Sequence, residues 1–81
     1  MPKKFHAPKL DEVEPQGPVT VAAAPLAVVA RVRWIIAMPT DWSIIRDAWA
    51  LAWTKNEVLV VWMTAGKATT TWIPAKHVKR R

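Results

Sequence analysis

The 81-residue chain has no cysteine, only two glycines and two histidines, and no apolar run long enough to cross a bilayer. Without cysteine there is neither a disulfide framework nor a thiolate metal site. Two glycines cannot build a glycine-rich phosphate cradle. The longest apolar stretch, VAAAPLAVVA at 21–30, is about half the length of a membrane-spanning helix and carries Pro25 in its middle. The lysines near the start run into FHAPKLDEVEPQGP rather than an apolar core, so no secretory leader is predicted. The expectation is an intracellular protein, cytoplasmic or nuclear, with no membrane partner. A chain this short buries only ~60–65% of its unfolded surface, which leaves room for one small domain and none for a large enclosed active site.

Catalytic chemistry has little to draw on. His6 and His77 lie near opposite ends of the chain, and no nucleophile sits in sequence beside a base and an orienting carboxylate. Asp41 and Asp47 share a segment with Arg46 at a spacing that has no acid–base geometry. The chain is therefore read as non-enzymatic, with no catalytic residue, metal site or cofactor.

What the chain has is positive charge in one part. Lys3, Lys4 and Lys9 balance Asp11, Glu12 and Glu14 over residues 1–30. Residues 31–81 carry nine Lys or Arg against Asp41, Asp47 and Glu57, and so hold the whole net charge of +6. An excess of that sign on the folding part points to an anionic partner.

Pro2, Pro8, Pro15 and Pro18 with mixed charges make the first eighteen residues read as a disordered arm, and VTVAAAPLAV after them as a linker lying on the domain or a short edge strand, so that 1–27 is arm and linker. From Val28 the texture changes. VVARVRWI sets Val28, Ala30, Val32 and Trp34 on one side and Val29, Arg31, Arg33 and Ile35 on the other, the period of a half-buried strand. AWALAWT alternates Trp49, Leu51 and Trp53 with alanines, VLVVWMT at 58–64 is a β-branched strand, and TTTWI at 69–73 is another. TKNE at 54–57 and AGKA at 65–68 supply the turns. Pro74 removes a ladder donor, AKHV has the length of one helical turn with Val78 returning to the core, and KRR closes as a short charged strand. Residues 28–81 thus read as an all-β, five-stranded small barrel. An alternative makes 41–53 a helix, with Thr40 as N-cap and Trp42, Ile45, Trp49 and Ala52 along one face, giving an α+β fold.

This order, and the run Trp72, Ile73, Pro74, Ala75, His77, Val78, resembles the Src-homology-3 domain, whose last two strands are joined by a single turn that begins at a proline. The resemblance covers residues 28–81, and its specific part is about seven residues long. It implies an SH3-like barrel. It does not carry over polyproline recognition: there is no tyrosine, the first strand reads ARVRW, and histidine stands at 77 where the peptide binders have an aromatic. TWIPAKHVKRR is also similar to the end of the C-terminal DNA-binding domain of retroviral integrases. That likeness implies a nucleic-acid partner, DNA ahead of RNA, held through phosphates with low sequence preference. The candidate contacts are Arg31, Arg33, Lys76, Lys79, Arg80 and Arg81.

Six tryptophans are the other excess. Each buries ~150–250 Å², so most serve a small core, yet a barrel of this size cannot hide six. Trp49 and Trp53 are expected inward and Trp34 and Trp72 half-buried, with Trp42 and Trp62 exposed. Trp42, Trp62 and His77 are then candidate stacking or partner contacts. They support a second expectation, a protein-interaction module such as a viral or phage accessory factor.

Overall fold

The computed structural model describes residues 9–35 and 41–81. Residues 1–8, with His6, and residues 36–40, with Pro39 and Thr40, lie outside the described residues. Strands β1 (Lys9–Leu10), β2 (Thr20–Ile35), β3 (Asp41–Trp53), β4 (Glu57–Thr64), β5 (Lys67–Pro74) and β6 (Val78–Arg80) form one antiparallel sheet, with a 3₁₀ turn at Ala75–His77. The order is β1-β2-β3-β4-β5, and β6 pairs with β2. No ladder joins β5 to β1 or β6 among the described residues, so strand pairing leaves the sheet open. Nor is any helix there long and apolar enough to cross a membrane. The fold is all-β. The helical alternative for 41–53 is overturned, because Asp41–Ile45 pair residue by residue with Trp34–Ala30 of β2.

On β2 the expected alternation holds: Val28, Ala30 and Val32 are buried while Arg31 and Arg33 are exposed. On β3 the parity is the reverse of that expected. Ala48, Ala50 and Ala52 face the core, and Trp49 is 42% exposed with Trp53 half-buried. The cause lies on β4. Trp62, expected at the surface, is 3% exposed and stands directly across from Ala48, with Val60 across from Ala50. Cross-strand partners share a face, so a large residue on one strand demands a small one on the other. Burying an indole of ~150–250 Å² contributes about 4–6 kcal/mol. Trp34, Ile45, Val58 and Val78 pack around this centre, which also holds Ile73.

Three irregularities bend the sheet among the described residues, two on the β2–β3 ladder and one on the β3–β4 ladder between Ala50 and Ala52. Between the pairs Val28↔Ala48 and Ala30↔Ile45, the single Val29 opposes both Arg46 and Asp47, a bulge that leaves carbonyls without ladder donors. Arg81 supplies the donors: its Nε reaches the Val28 carbonyl at 3.1 Å and its Nη2 the Ala48 carbonyl at 2.9 Å. Farther along, Ala22–Pro25 oppose Leu51 alone, where a proline needs no partner for its missing N–H. The β4–β5 hairpin turns through Ala65 and Gly66, both at positive φ, the geometry of a two-residue hairpin loop.

The chain ahead of Val28 also joins the sheet. β2 begins at Thr20, not Val28, and residues 11–16 run as an extended strap across the sheet. Asp11 N–H donates to the Arg33 carbonyl (2.8 Å), Val13 N–H to the Trp72 carbonyl (3.2 Å) and Gln16 N–H to Glu57 Oε1 (3.0 Å). Thr71 Oγ1 donates to the Glu12 carboxylate at 2.7 Å. Leu10 packs on the core cluster and Val13 is half-buried, and together with these bonds they offset the ordering entropy that composition suggested could not be met.

Replacing the buried indole separates the two parities. Trp62→Ala is expected to lower the urea-derived unfolding free energy by about 3–5 kcal/mol, and Trp49→Ala by no more than about 1–2 kcal/mol. The reverse order would contradict the assignment of faces.

Candidate nucleic-acid interface

The alternation that buries Val28, Ala30 and Val32 sends Arg31 and Arg33 to the outer face of β2. There Arg31 stands across from Ile44 and Arg33 across from Trp42. β6 lies along the other edge of β2 and sets Lys79 across from Val29. The 3₁₀ turn fixed by Pro74 brings Lys76 and His77 to the same surface, and Ala75 N–H anchors the turn on the Asn56 carbonyl at 2.8 Å.

Trp42 is the centre of this surface. It is 39% exposed, the Arg31 guanidinium carbon lies 4.3 Å from its ring centroid, and that of Arg33 lies 5.9 Å away. The His77 ring meets it edge to face, with centroids 5.1 Å apart and planes at 85°. The arrangement lines a groove of two basins. A basin of about 140 Å³ adjoins Asp11, Arg33, Trp42 and Pro74, and one of about 350 Å³ adjoins Val29, Ile44 and Lys79. Arg31, Lys76 and His77 wall both.

The electrostatics favour an anion. Burial, then the charges of Lys76 and Arg31, hold the His77 imidazole below its ordinary pKa, so it is biased toward the neutral form until something negative arrives. Among the described residues Asp11 is the one carboxylate lining the two basins; its Oδ2 stands 3.5 Å from Arg33 Nε. Lys76 and Arg31 surround His77 with positive charge, which favours a negative group beside it.

Of the nine candidate residues, six come together: Arg31, Arg33, Lys76, Lys79, Trp42 and His77. Three do not. Trp62 is buried in the core. Arg80 opens onto a separate hollow beside Leu26, Trp53 and Val78. Arg81 is held at the bulge, with Asp47 at 3.7 Å and its guanidinium carbon 4.7 Å from the Trp49 ring centroid. Asp11 belongs to the site and escapes the sequence, because nothing near it in the chain signals that the strap crosses this face. Comparison of the chain with protein families, curated proteins and solved structures finds no match.

Two groups give stability a defined pH dependence. The folded pKa of His77 lies below its unfolded value, so its contribution is complete above that value, ~6.5, and declines as pH falls through it. The Glu57 carboxylate accepts hydrogen bonds from the Thr54 hydroxyl, which acts most strongly, and from Gln16 N–H, and is held below the ordinary value; its contribution is lost in the acid range. Urea midpoints are expected to fall between pH 7.5 and 5.5, a step His77→Gln removes, and again below about pH 4.5, a step Glu57→Gln removes. A midpoint that rises as pH falls through either range would contradict these assignments.

Proposed function

We propose that this chain is a non-enzymatic module that binds nucleic acid, duplex DNA ahead of RNA, through its phosphates and with low sequence preference. The observation that carries this reading is convergence: Arg31 and Arg33 from β2, Lys76 from the 3₁₀ turn and Lys79 from β6 line one groove around an exposed indole. Phosphate contacts position a protein without reading bases, and cations from separate elements suit that task. The architecture we propose is an SH3-like small barrel, in which the strap over residues 11–16 spans the gap that strand pairing leaves open. Supporting it are the long β2–β3 hairpin, the three-strand meander, and the proline-led 3₁₀ turn that returns β6 to β2.

A protein partner is the second reading. With Trp62 buried, the pair Trp42 and Trp62 cannot serve it as expected. What favours it instead is the apolar hollow on the outer face of β3 and β4, lined by Pro25, Trp49, Leu51 and Val61.

Four phosphates neutralised by four cations give a slope of log affinity against log salt of about −3.6, or roughly a 10²-fold loss between 50 and 200 mM salt. Titration of labelled duplex by fluorescence anisotropy at several salt concentrations measures it. The Lys76→Ala, Lys79→Ala double variant is expected to flatten the slope by about 1.8, while Arg80→Ala leaves it unchanged. Binding that ignores salt would exclude the phosphate reading.

A further inference from the structure

The two basins of the groove differ in kind. The Lys79 basin has three cationic walls, the His77 ring and the aliphatic Val29 and Ile44, and no acidic side chain among the described residues. The basin beside Trp42 adds the apolar walls Val13, Ile73 and Pro74 to an indole and two groups of opposite sign, Asp11 and Arg33. Its volume of about 140 Å³ is below the ~300–1,000 Å³ of drug-sized sites and suits one flat ring system.

Asp11 is the informative member. A carboxylate in a phosphate-binding groove repels the ligand, yet this one is fixed in place by the strap. Its own N–H bonds the Arg33 carbonyl, and Glu12, Val13 and Gln16 tie the following residues to Thr71, Trp72 and Glu57. The ion pair with Arg33 is long, 3.5 Å, and the two side chains are 38% and 45% exposed, so both keep hydrogen-bonding capacity toward a third group.

We infer that this basin takes one unpaired guanine base, whose pairing edge is read by Asp11 and Arg33 while Arg31 and Lys76 hold the neighbouring phosphate. The inference rests on the nucleic-acid reading above. Guanine alone among the bases places two N–H donors side by side with a carbonyl beside them. A carboxylate, with two acceptor oxygens, takes both donors, and a guanidinium donates to the carbonyl. Adenine and cytosine offer one amino group beside a ring-nitrogen acceptor, and thymine or uracil one N–H between two carbonyls that repel a carboxylate. In a duplex this edge is already paired, so the base must be unstacked, as in an overhang, bulge or loop. Phosphates then supply most of the affinity and the basin supplies the preference for where the protein sits.

The test uses the full chain and labelled duplexes at low salt, either blunt or carrying a short overhang of G, A, C or T. The guanine overhang is expected to bind about 5- to 100-fold tighter than the others, the discrimination that a bidentate pair supplies. Asp11→Asn, which exchanges one acceptor oxygen for a donor and removes the charge, is expected to erase that preference while binding blunt duplex more tightly. Equal affinity for all four overhangs, with blunt duplex still bound, overturns the guanine site and leaves the backbone reading intact. So does a guanine preference that survives in Asp11→Asn. No binding to any duplex overturns both. Guanosine monophosphate titrated alone and followed at the Trp42 indole resonance settles the source of the base. Weaker binding than the overhang duplex supports a strand-borne base, and tighter binding makes a free nucleotide the ligand and overturns the strand-borne assignment.

Discussion

Ala48 lies directly across the sheet from Trp62, and most of the architecture depends on that complementarity of size. A core this small admits one indole at its centre only if the facing strand gives up volume. The alanines of β3 do so, which turns Trp49 outward and lets Val60, Ile73 and the β2 residues Val28, Ala30 and Val32 close around the indole. Once that face of β2 is committed inward, period two leaves Arg31 and Arg33 nowhere but outside. The position of the cationic groove is thus a consequence of core packing two strands away.

The second constraint is the incomplete sheet. Strand pairing stops at β5 on one side and at β1 and β6 on the other. The strap over residues 11–16 takes up carbonyls on β2 and β5 that no strand pairs, and it delivers Asp11 to the groove as it passes. Arg81 does a similar service at the bulge beside Val29. The bonds at the sheet's edges and the groove chemistry therefore share residues. A change in the strap that loosened its bonds to Trp72 and Glu57 would also shift the Asp11 carboxylate that faces the cations.

Much of this was legible in the sequence where a single strand carries its own signal. The alternation from Val28, the Val-rich β4 and the Pro74 stop each depend on local chemistry, and each appears where the pattern places it. The failures come from information held by a neighbour. WALAW reads as apolar on both faces, and only the presence of Trp62 across from Ala48 decides which face is inside. The terminal KRR run looks like a uniform solvated edge, yet a bulge formed by Arg46 and Asp47 claims Arg81 and the edge register separates Arg80 from Lys79. The strap binds through the backbone N–H groups of Asp11, Val13 and Gln16, donors that almost every residue carries, so composition could not reveal it. Asp11 entered the site by the same hidden route.

The claim at the centre of the account is that the groove around Trp42 is the surface that meets nucleic acid. The tryptophans report on distinct places, with Trp62 in the core, Trp49 at the apolar hollow beside Pro25, Leu51 and Val61, and Trp42 in the groove. Indole resonances followed while a short duplex is added at low salt therefore measure the claim directly. The account predicts a large, saturable shift of the Trp42 signal, a smaller one or none at Trp49, and an unmoved Trp62. Saturable movement at Trp49 with Trp42 stationary would contradict it and place the interface at the apolar hollow of Pro25, Trp49, Leu51 and Val61.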